Sequence, residues 1–184
     1  MFEELETRRL ILRKVSKKDI NDIYEYGSDE KVAKYVSWST YNSIQDAQSF
    51  INHVLIKYET DNPYIWAIED KKNKKMIGTI DFVTINKKEN YGEIGYVLNR
   101  NYWNQGIMSE ALNVIIDFGF NKLNLNKIRA RCVKENIASS KVLEKAGMKF
   151  NCIKRDHIEK DGIYYDLIYY SLLISDYLSL KKNK

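Results

Sequence analysis

The segment RNYWNQGIMSEA (residues 100–111) places a glycine in the first turn of a predicted helix. The helix follows a predicted strand, and its first N–H groups have no acceptor within the helix itself. These donors and the positive end of the helix dipole favour an anion, such as a pyrophosphate. Gly106 lacks the Cβ that would keep such a ligand away from the backbone. Because a glycine is also typical of close packing against a strand, the segment alone leaves both interpretations open.

Three side chains are candidates for accepting a proton in a transfer reaction. Glu93 lies four residues before Val97 in a predicted strand and therefore shares its face. A carboxylate among apolar neighbours is typical of a general base, although it can equally hold an arginine or a loop amide. His157 and Asp156, before the last predicted turn, are the rival candidates. His53 is predicted to face solvent from the second helix.

Hydrophobic periodicity and turn residues predict the elements that must position these groups. Ser43 with Asp46 resembles a capping signal, and Asp161-Gly162 is a strong hairpin signal. The predicted order β-α-α-β-β-β-α-β-α-β-β is a mixed α/β layer fold, in a single domain (1–184) with a polar tail (175–184). The predicted strands cover residues 8–15, 64–70, 75–85, 90–99, 126–136, 149–158 and 162–173, and the predicted helices residues 16–27, 43–60, 105–122 and 137–147.

The composition is that of a globular chain, with 44% hydrophobic and 30% charged residues. It excludes a disordered chain, and the short apolar runs predict no membrane span. The N-terminus lacks the apolar stretch of a signal peptide. Cys132 and Cys152 have neither a metal-binding spacing nor a disulfide framework. We therefore predict no metal, free thiols and a cytoplasmic location.

The net charge of +5 has two interpretations. One is a solvated surface rich in lysine, and the other is attraction to a polyanion such as nucleic acid or a phosphorylated ligand. Much of the excess lies in a predicted hairpin loop (71–75) and at the C-terminus (181–184), and neither marks a site. The 14 tyrosines do not interleave with arginine as in a nucleic-acid platform, so we predict no specific nucleic-acid partner.

The motifs together resemble the GCN5-related N-acetyltransferase (GNAT) superfamily, and most closely the branch that acetylates the N-termini of ribosomal proteins. Four segments are similar to that branch in the same order and cover almost the whole chain: ETRRLILRKVSKKDINDIYEYGSDEKVAKYV, EIGYVLNRNYWNQGIMSEAL, NKIRARCVKENIASSKVLEKAGMKF and DGIYYDLIYYSL. The resemblance implies a twisted, mostly antiparallel sheet of about seven strands with helices on both faces. It also implies direct transfer of an acetyl group from acetyl-CoA to a primary amine.

The resemblance assigns the glycine segment to the pyrophosphate of acetyl-CoA. The superfamily's general pattern has Gln or Arg, and Gly or Ala, at the positions of Trp103 and Met108. Both departures are familiar in the ribosomal-protein branch, whose first glycine is replaced here by Asn104. Asparagine tolerates a left-handed backbone, so the turn is expected to survive. The predicted cradle consists of Trp103, Asn104 and the backbone amides of Gln105, Gly106, Ile107, Met108 and Ser109.

In the family, the strand that corresponds to EIGYVLN splays from the next strand, and pantetheine lies in the gap. By position, Val97 and Leu98 are then predicted to bond the pantetheine amides through their backbone, as a replacement strand does. One of their N–H groups would stabilise the oxyanion of the tetrahedral intermediate. An ordinary place in the core is compatible with this role.

Many superfamily members carry a tyrosine that protonates the thiolate leaving group, and here its position is Leu143. The resemblance leaves Ser139 to protonate or hydrogen-bond the thiolate, Asn136 to bond the pantetheine and Lys141 to reach a CoA phosphate. The structural alternatives are that Asn136 is a helix N-cap and that Ser139 is merely a first-turn residue.

The sequence predicts either a protein N-terminus or a small amine as the acceptor. It is compatible with a monomer and with a homodimer. The positive net charge disfavours a polycationic acceptor, because like charges slow encounter. Trp38 and Tyr41 are predicted either to wall the acceptor pocket or to pack as part of a lid. A non-catalytic acyl-CoA-binding or regulatory module is the alternative function, which only Leu143 favours.

Overall fold

The computed structural model describes residues 2–60 and 62–182. Among these residues, eight strands and six α-helices follow the predicted order, with one short strand and two helices added. The strands are β1 (Leu5–Glu6), β2 (Leu10–Arg13), β3 (Ile65–Asp70), β4 (Lys75–Asn86), β5 (Tyr91–Leu98), β6 (Lys127–Val133), β7 (Lys149–Lys160) and β8 (Ile163–Leu173). The helices are α1 (Ile20–Gly27), α2 (Glu30–Ala33), α3 (Ile44–Lys57), α4 (Ile107–Asn121), α5 (Ile137–Lys145) and α6 (Ile174–Lys182). Short 3₁₀ turns precede α1 (Lys17–Asp19) and follow β5 (Arg100–Tyr102).

The hydrogen-bonded strands lie in the order β1-β2-β3-β4-β5-β6-β8-β7. β5 pairs parallel with β6, whereas the pairs β1–β2, β2–β3, β3–β4, β6–β8 and β7–β8 are antiparallel. This confirms the predicted layered α/β fold with a mostly antiparallel sheet. The added strand β1 has two residues, too few to produce an alternation that a sequence could reveal. No helix within residues 2–60 and 62–182 is long and apolar enough to cross a membrane.

The chain divides into two compact units, and the first comprises Met1–Phe82 and Tyr96–Ala111. Its core joins α1, α2 and α3 to β3 and the start of β4 through buried Val15, Ile23, Tyr26, Val32, Ala47, Ile51, Val54, Ile65, Ala67 and Met76. α3 begins with the predicted capping box, in which the Asp46 carboxylate accepts the N–H of Ser43 at 3.0 Å.

Trp38 and Tyr41 pack against this core, with ring centroids 4.9 Å apart. The ring of Tyr41 lies 2.3 Å from the place of a Cβ at Gly27, so only glycine fits there. These contacts agree with the packing role that the sequence left open for the two aromatic residues.

The second unit comprises Val83–Gly95 and Leu112–Lys184. Its buried side chains come from the later part of α4, from β6 and β8 and from α5: Leu112, Ile115, Ile116, Ile128, Ala130, Leu143, Leu167, Tyr170 and Leu172. β7 and β8 turn through Asp161 (φ 52°) and Gly162 (φ 76°), as the predicted hairpin requires.

The predicted polar tail (175–184) is helical instead, as part of α6, up to Lys182, and residues 183 and 184 lie outside the described part of the chain. Buried Tyr177 connects this helix to α4, since its ring centroid lies 4.8 Å from that of Phe120. Its hydroxyl also accepts a hydrogen bond from Asn121 Nδ2 at 3.0 Å. Tyr177 therefore packs α6 against α4, and the lysine-rich composition of the segment did not reveal this contact.

Candidate active site

The backbone before α4 is left-handed at two positions. Asn104 has φ 58° and Gly106 has φ 72°, so asparagine does adopt the conformation expected where the related branch has glycine. α4 begins at Ile107, and the N–H of Glu110 donates to the Gly106 carbonyl at 3.1 Å. Gly106 is thus the residue before the helix rather than a residue of its first turn, which corrects the predicted start at Gln105. Its positive φ, not a helix-interior role, is the reason for glycine.

The space beside Gly106 contains almost no protein. Among residues 2–60 and 62–182, a Cβ built on this glycine would have a single neighbour within 4 Å, the terminal Nη2 of Arg9 at 3.7 Å. The alternative of a glycine packed against a neighbouring strand is therefore wrong. Asn104, Gln105 and Gly106 are exposed, whereas the Ile107 and Met108 side chains are buried. The first N–H groups of α4, which include that of partly buried Ser109, come directly after these exposed residues in the chain.

Side chains of the loop stabilise its shape from within. The indole Nε1 of Trp103 donates to the Leu98 carbonyl at 2.8 Å, although 38% of the residue is exposed. Gln105 Nε2 donates to the Asn101 carbonyl at 2.8 Å. Trp103 and Gln105 therefore hold the loop in shape through these side-chain groups.

The end of β5 distinguishes between the two predicted pantetheine contacts. Asn99 N–H donates to the Ile77 carbonyl of β4 at 2.7 Å. Since successive residues of a strand direct their backbone groups to opposite edges, Leu98 directs its own toward the edge away from β4. Its carbonyl indeed accepts from Trp103 there. The parallel pairing of β5 with β6 ends at Ile94, so Leu98 lies beyond it. The Leu98 N–H therefore points away from β4, whereas Val97 directs its backbone groups toward β4; both stay predicted contacts of the pantetheine.

An ion-pair cluster behind the loop was not predicted. Glu110 Oε2 accepts from Arg9 Nε at 2.7 Å, while Oε1 accepts from Thr7 Oγ1 at 2.5 Å and from the Arg9 N–H at 3.0 Å. Arg9 Nη1 donates to the Gln105 carbonyl at 2.9 Å. Burial favours the neutral carboxyl, but the hydrogen bonds from Thr7 and Arg9 outweigh it and lower the pKa of Glu110. A sequence signal did exist, since Glu110 follows the glycine by four residues within the motif that resembles the family.

A second group that the sequence analysis missed is Asp81 on β4. Asp81 is the register partner of Ile65, and both Ile65 and Val97 pack in the first unit's core. Asp81 and Val97 therefore lie on the same face of the sheet. Desolvation raises the pKa of Asp81 to about 7, with the charge of Lys57 opposing the shift. The available signal was a carboxylate inside an otherwise apolar strand segment, TIDFV.

Glu93 is held by two arginines of β6. Its carboxylate forms ion pairs with Arg131 Nε at 3.0 Å and with Arg129 Nη2 at 3.4 Å, and Arg129 stacks 3.6 Å from the Tyr91 ring centroid. The Glu93 side chain is 12% exposed. This is the arginine-holding role that the sequence left open beside the role of general base.

The rival candidates lie in an irregular part of β7. Asp156 has φ 46°, and its N–H donates to Asp166 Oδ1 at 3.1 Å, where the register of β7 against β8 shifts. His157 is exposed and meets Tyr169 edge-on, with centroids 5.9 Å apart. The bulge directs both residues toward solvent-accessible surroundings.

α5 begins with the N-cap that was one of the alternatives for Asn136, since its Oδ1 accepts the Ser139 N–H at 3.2 Å. Behind the cap, the Cys132 Sγ lies 3.3 Å from the hydroxyl of Ser140. Burial raises the pKa of the Cys132 thiol, against hydrogen bonds from Ser140 and from partly exposed Ser139. Lys141 is exposed, and Leu143 is fully buried.

A family model described as an acetyltransferase (GNAT) domain matches residues 9–149. The chain belongs to the GNAT acetyltransferase family. YnaD of Bacillus subtilis, an uncharacterised N-acetyltransferase, is 38% identical over 143 residues, which are 78% of this chain and 81% of the relative. The model and the relative confirm the predicted assignment to the N-acetyltransferases.

Solved structures agree with this assignment. A GNAT-family acetyltransferase from Bacillus anthracis superposes with a TM-score of 0.82 at 29% identity, covering 93% of this chain and 98% of the other. RimL, the ribosomal L7/L12 α-N-protein acetyltransferase in complex with coenzyme A, superposes with a TM-score of 0.83 at 19% identity, over 95% and 99%. The second likeness shows that the fold of the ribosomal-protein branch is shared.

Proposed function

We propose that the chain transfers an acetyl group from acetyl-CoA directly to a primary amine, and that α4 binds the donor's pyrophosphate. The observation that carries the proposal is the loop at Gly106. Its left-handed backbone directly precedes the first N–H groups of the helix, and among the described residues only the tip of Arg9 lies where a side chain would be. Backbone donors at a helix N-terminus with no overlying side chain suit a diphosphate.

The donor's pantetheine arm is proposed to form hydrogen bonds with the backbone at the end of β5, mainly with that of Leu98, next to Val97. The Leu98 N–H points away from β4 and has a suitable direction for a carbonyl acceptor. A donor of this kind near the thioester stabilises the oxyanion that forms during attack by the amine. Asn136 and Lys141 remain predicted contacts of the donor, which rest on the family resemblance.

The attacking amine must lose a proton, and we propose Asp81 as its acceptor in preference to Glu93, His157 and Asp156. A carboxyl with a pKa of about 7 is well matched to proton transfer at neutral pH. Asp81 also shares its face with Val97 of the proposed donor strand. The two arginines that hold Glu93 favour a structural use of that carboxylate.

No tyrosine is present to protonate the departing thiolate at the family's usual position, which is occupied by the buried Leu143. Ser139 is proposed to hydrogen-bond this thiolate. Coenzyme A thiol is a fair leaving group, so positioning of the amine can supply much of the rate without a strong acid.

Thiol release with a panel of amines tests the proposal. The protein is mixed with acetyl-CoA and, separately, a peptide with a free N-terminal serine or alanine, spermidine and a small monoamine. The resemblance to the ribosomal-protein branch favours the peptide as the best acceptor, and the net charge of +5 disfavours spermidine. Coenzyme A release that depends on the amine supports the transfer. Calorimetry that detects no binding of coenzyme A would contradict the donor site itself.

A further inference from the structure

Two of the three guanidinium nitrogens of Arg9 are held by the protein, and the third, Nη2, lies at the loop surface. Nε donates to Glu110 at 2.7 Å, and Nη1 donates to the Gln105 carbonyl at 2.9 Å. Nη2 has no acceptor in the part of the chain that the structure describes, and it lies 3.7 Å from the place of a Cβ at Gly106. The side chain remains 35% exposed. The group nearest to the open space at the glycine is therefore a fixed cationic N–H donor.

The charge of Glu110 makes this arginine necessary for an anion site. Glu110 lies in the first turn of α4, so its carboxylate would repel a phosphate bound at the same helix end. Arg9 compensates that charge with a hydrogen bond and an ion pair. Thr7 and the Arg9 backbone occupy the other carboxylate oxygen, which fixes the pair in one orientation.

We propose that Arg9 is a binding residue of the donor site, which holds the Gln105 carbonyl in place and donates from Nη2 to a phosphate of the bound coenzyme A. The proposal rests on the proposed function and extends it to a residue outside the glycine segment. A planar guanidinium can serve Glu110, Gln105 and a phosphate at once because its N–H groups point in fixed directions. An ammonium group at this position would serve one or two of them.

Two donors that differ in their phosphates test Arg9. Acetyl-CoA carries the pyrophosphate, and S-acetylpantetheine lacks it. In Arg9→Ala we expect coenzyme A to bind about tenfold to a hundredfold more weakly by calorimetry, the range of a lost charge-assisted hydrogen bond. The KM for acetyl-CoA should rise by a larger factor than kcat falls, and kcat/KM should fall less for S-acetylpantetheine than for acetyl-CoA. Arg9→Lys should recover only part of the affinity.

A second substitution separates charge compensation from loop shape. Arg9→Ala leaves Glu110 unpaired, so the double variant Arg9→Ala/Glu110→Gln should bind coenzyme A more tightly than Arg9→Ala alone. If the double variant binds more weakly than Arg9→Ala, the repulsion argument is wrong.

Arg13 provides the matched control, because this arginine of β2 is also held by carboxylates, Asp19 at 2.7 Å and Glu69 at 2.6 Å. Arg13→Ala should lower the melting temperature and leave the preference for acetyl-CoA over S-acetylpantetheine unchanged. If the unaltered protein binds coenzyme A and Arg9→Ala binds it equally well, the role of Arg9 is overturned while the donor site stands. If the unaltered protein does not bind coenzyme A, the donor site itself fails.

Discussion

α4 and α5 each follow a strand of the sheet, and they differ in what accepts their first N–H groups. At α5, the Asn136 side chain caps the helix and accepts the N–H of Ser139. At α4, the preceding residue is Gly106, which has no side chain to offer. A side chain of the protein itself therefore caps α5, whereas Gly106 provides no capping side chain for α4, whose first N–H groups are the donors that we propose for the ligand.

The surroundings of the two helix ends differ in the same way. Around α5 and β6, Glu93 is paired with two arginines, and the Cys132 thiol lies against the Ser140 hydroxyl. Near α4, the Arg9 guanidinium keeps an unused edge beside the exposed loop. We therefore expect substitutions around α5 and β6 to alter mainly the free energy of unfolding, and substitutions near the start of α4 to alter ligand binding or turnover.

The largest expected effect is that of Asp81→Asn, which removes the proposed acceptor of the attacking amine's proton. Loss of a general base typically costs 10²–10⁴-fold, so kcat should fall by about a hundredfold or more. In the unaltered protein the rate should fall as the pH drops through about 7, because Asp81 becomes protonated there. The variant should lack this limb of the pH–rate profile and still bind acetyl-CoA. A limb that persists in Asp81→Asn and vanishes in Glu93→Gln would return the role to Glu93.

Gly106→Val tests the open end of α4 directly. Valine is strained at φ 72°, and its side chain would occupy the space proposed for the pyrophosphate. Coenzyme A should bind at least about tenfold more weakly by calorimetry, on the close-approach argument. Gly162→Val, at the positive φ of the hairpin turn, controls for backbone strain and should leave the affinity unchanged. Equal affinities in the Gly106 variant and the unaltered protein would reject the cradle.

Ser139→Ala tests most severely the contrast between a ligand-binding α4 and a structural α5. Ser139 lies at the capped start of α5 and still has a proposed role in turnover. A hydrogen bond to the developing thiolate is worth less than full acid catalysis, so kcat should fall about tenfold with little change in acetyl-CoA affinity. Because Asn136 provides the cap, the variant should keep its melting temperature. Full turnover in the variant would remove Ser139 from the mechanism.

Glu93→Gln should act on stability. The amide cannot neutralise Arg129 and Arg131, and the partly buried ion pairs would be lost. We expect unfolding to become easier by about 1–2 kcal/mol in urea titration, between the values for exposed and buried pairs. Lys134→Ala, which removes an exposed partner of Asp166, is the matched control and should cost less. Unaltered stability combined with lost turnover would contradict a structural role.

The smallest effect is expected for Asn136→Ala, which removes the cap of α5. Loss of an asparagine N-cap typically costs about 1 kcal/mol of stability. If the cap is the main function of Asn136, the affinity for acetyl-CoA should hardly change. Asn136→Ser keeps a capping oxygen and should restore most of the stability. A weaker affinity in both variants would instead show a pantetheine contact.

The elements that the sequence predicted well are those decided within a few residues. The capping box of α3 and the Asp161-Gly162 turn follow from neighbouring residues, and the left-handed Asn104 follows from the tolerance of its side chain. The open glycine loop between β5 and α4 was predictable for the same reason, and its role in binding an anion stays a prediction. The boundary of α4 was wrong by two residues, because a glycine just before a helix and one in its first turn have similar local patterns.

By itself, the sequence determined the strand-helix order, the acetyltransferase family and the position of the glycine loop before α4, since all three rest on short-range patterns. The tertiary structure alone decided that Arg9 pairs with Glu110 across 101 residues, that Glu93 is neutralised by two arginines, and that the environment of Asp81 raises its pKa. A side chain's charge state and partners depend on burial and on residues distant in the chain, and the identity of its sequence neighbours does not specify either.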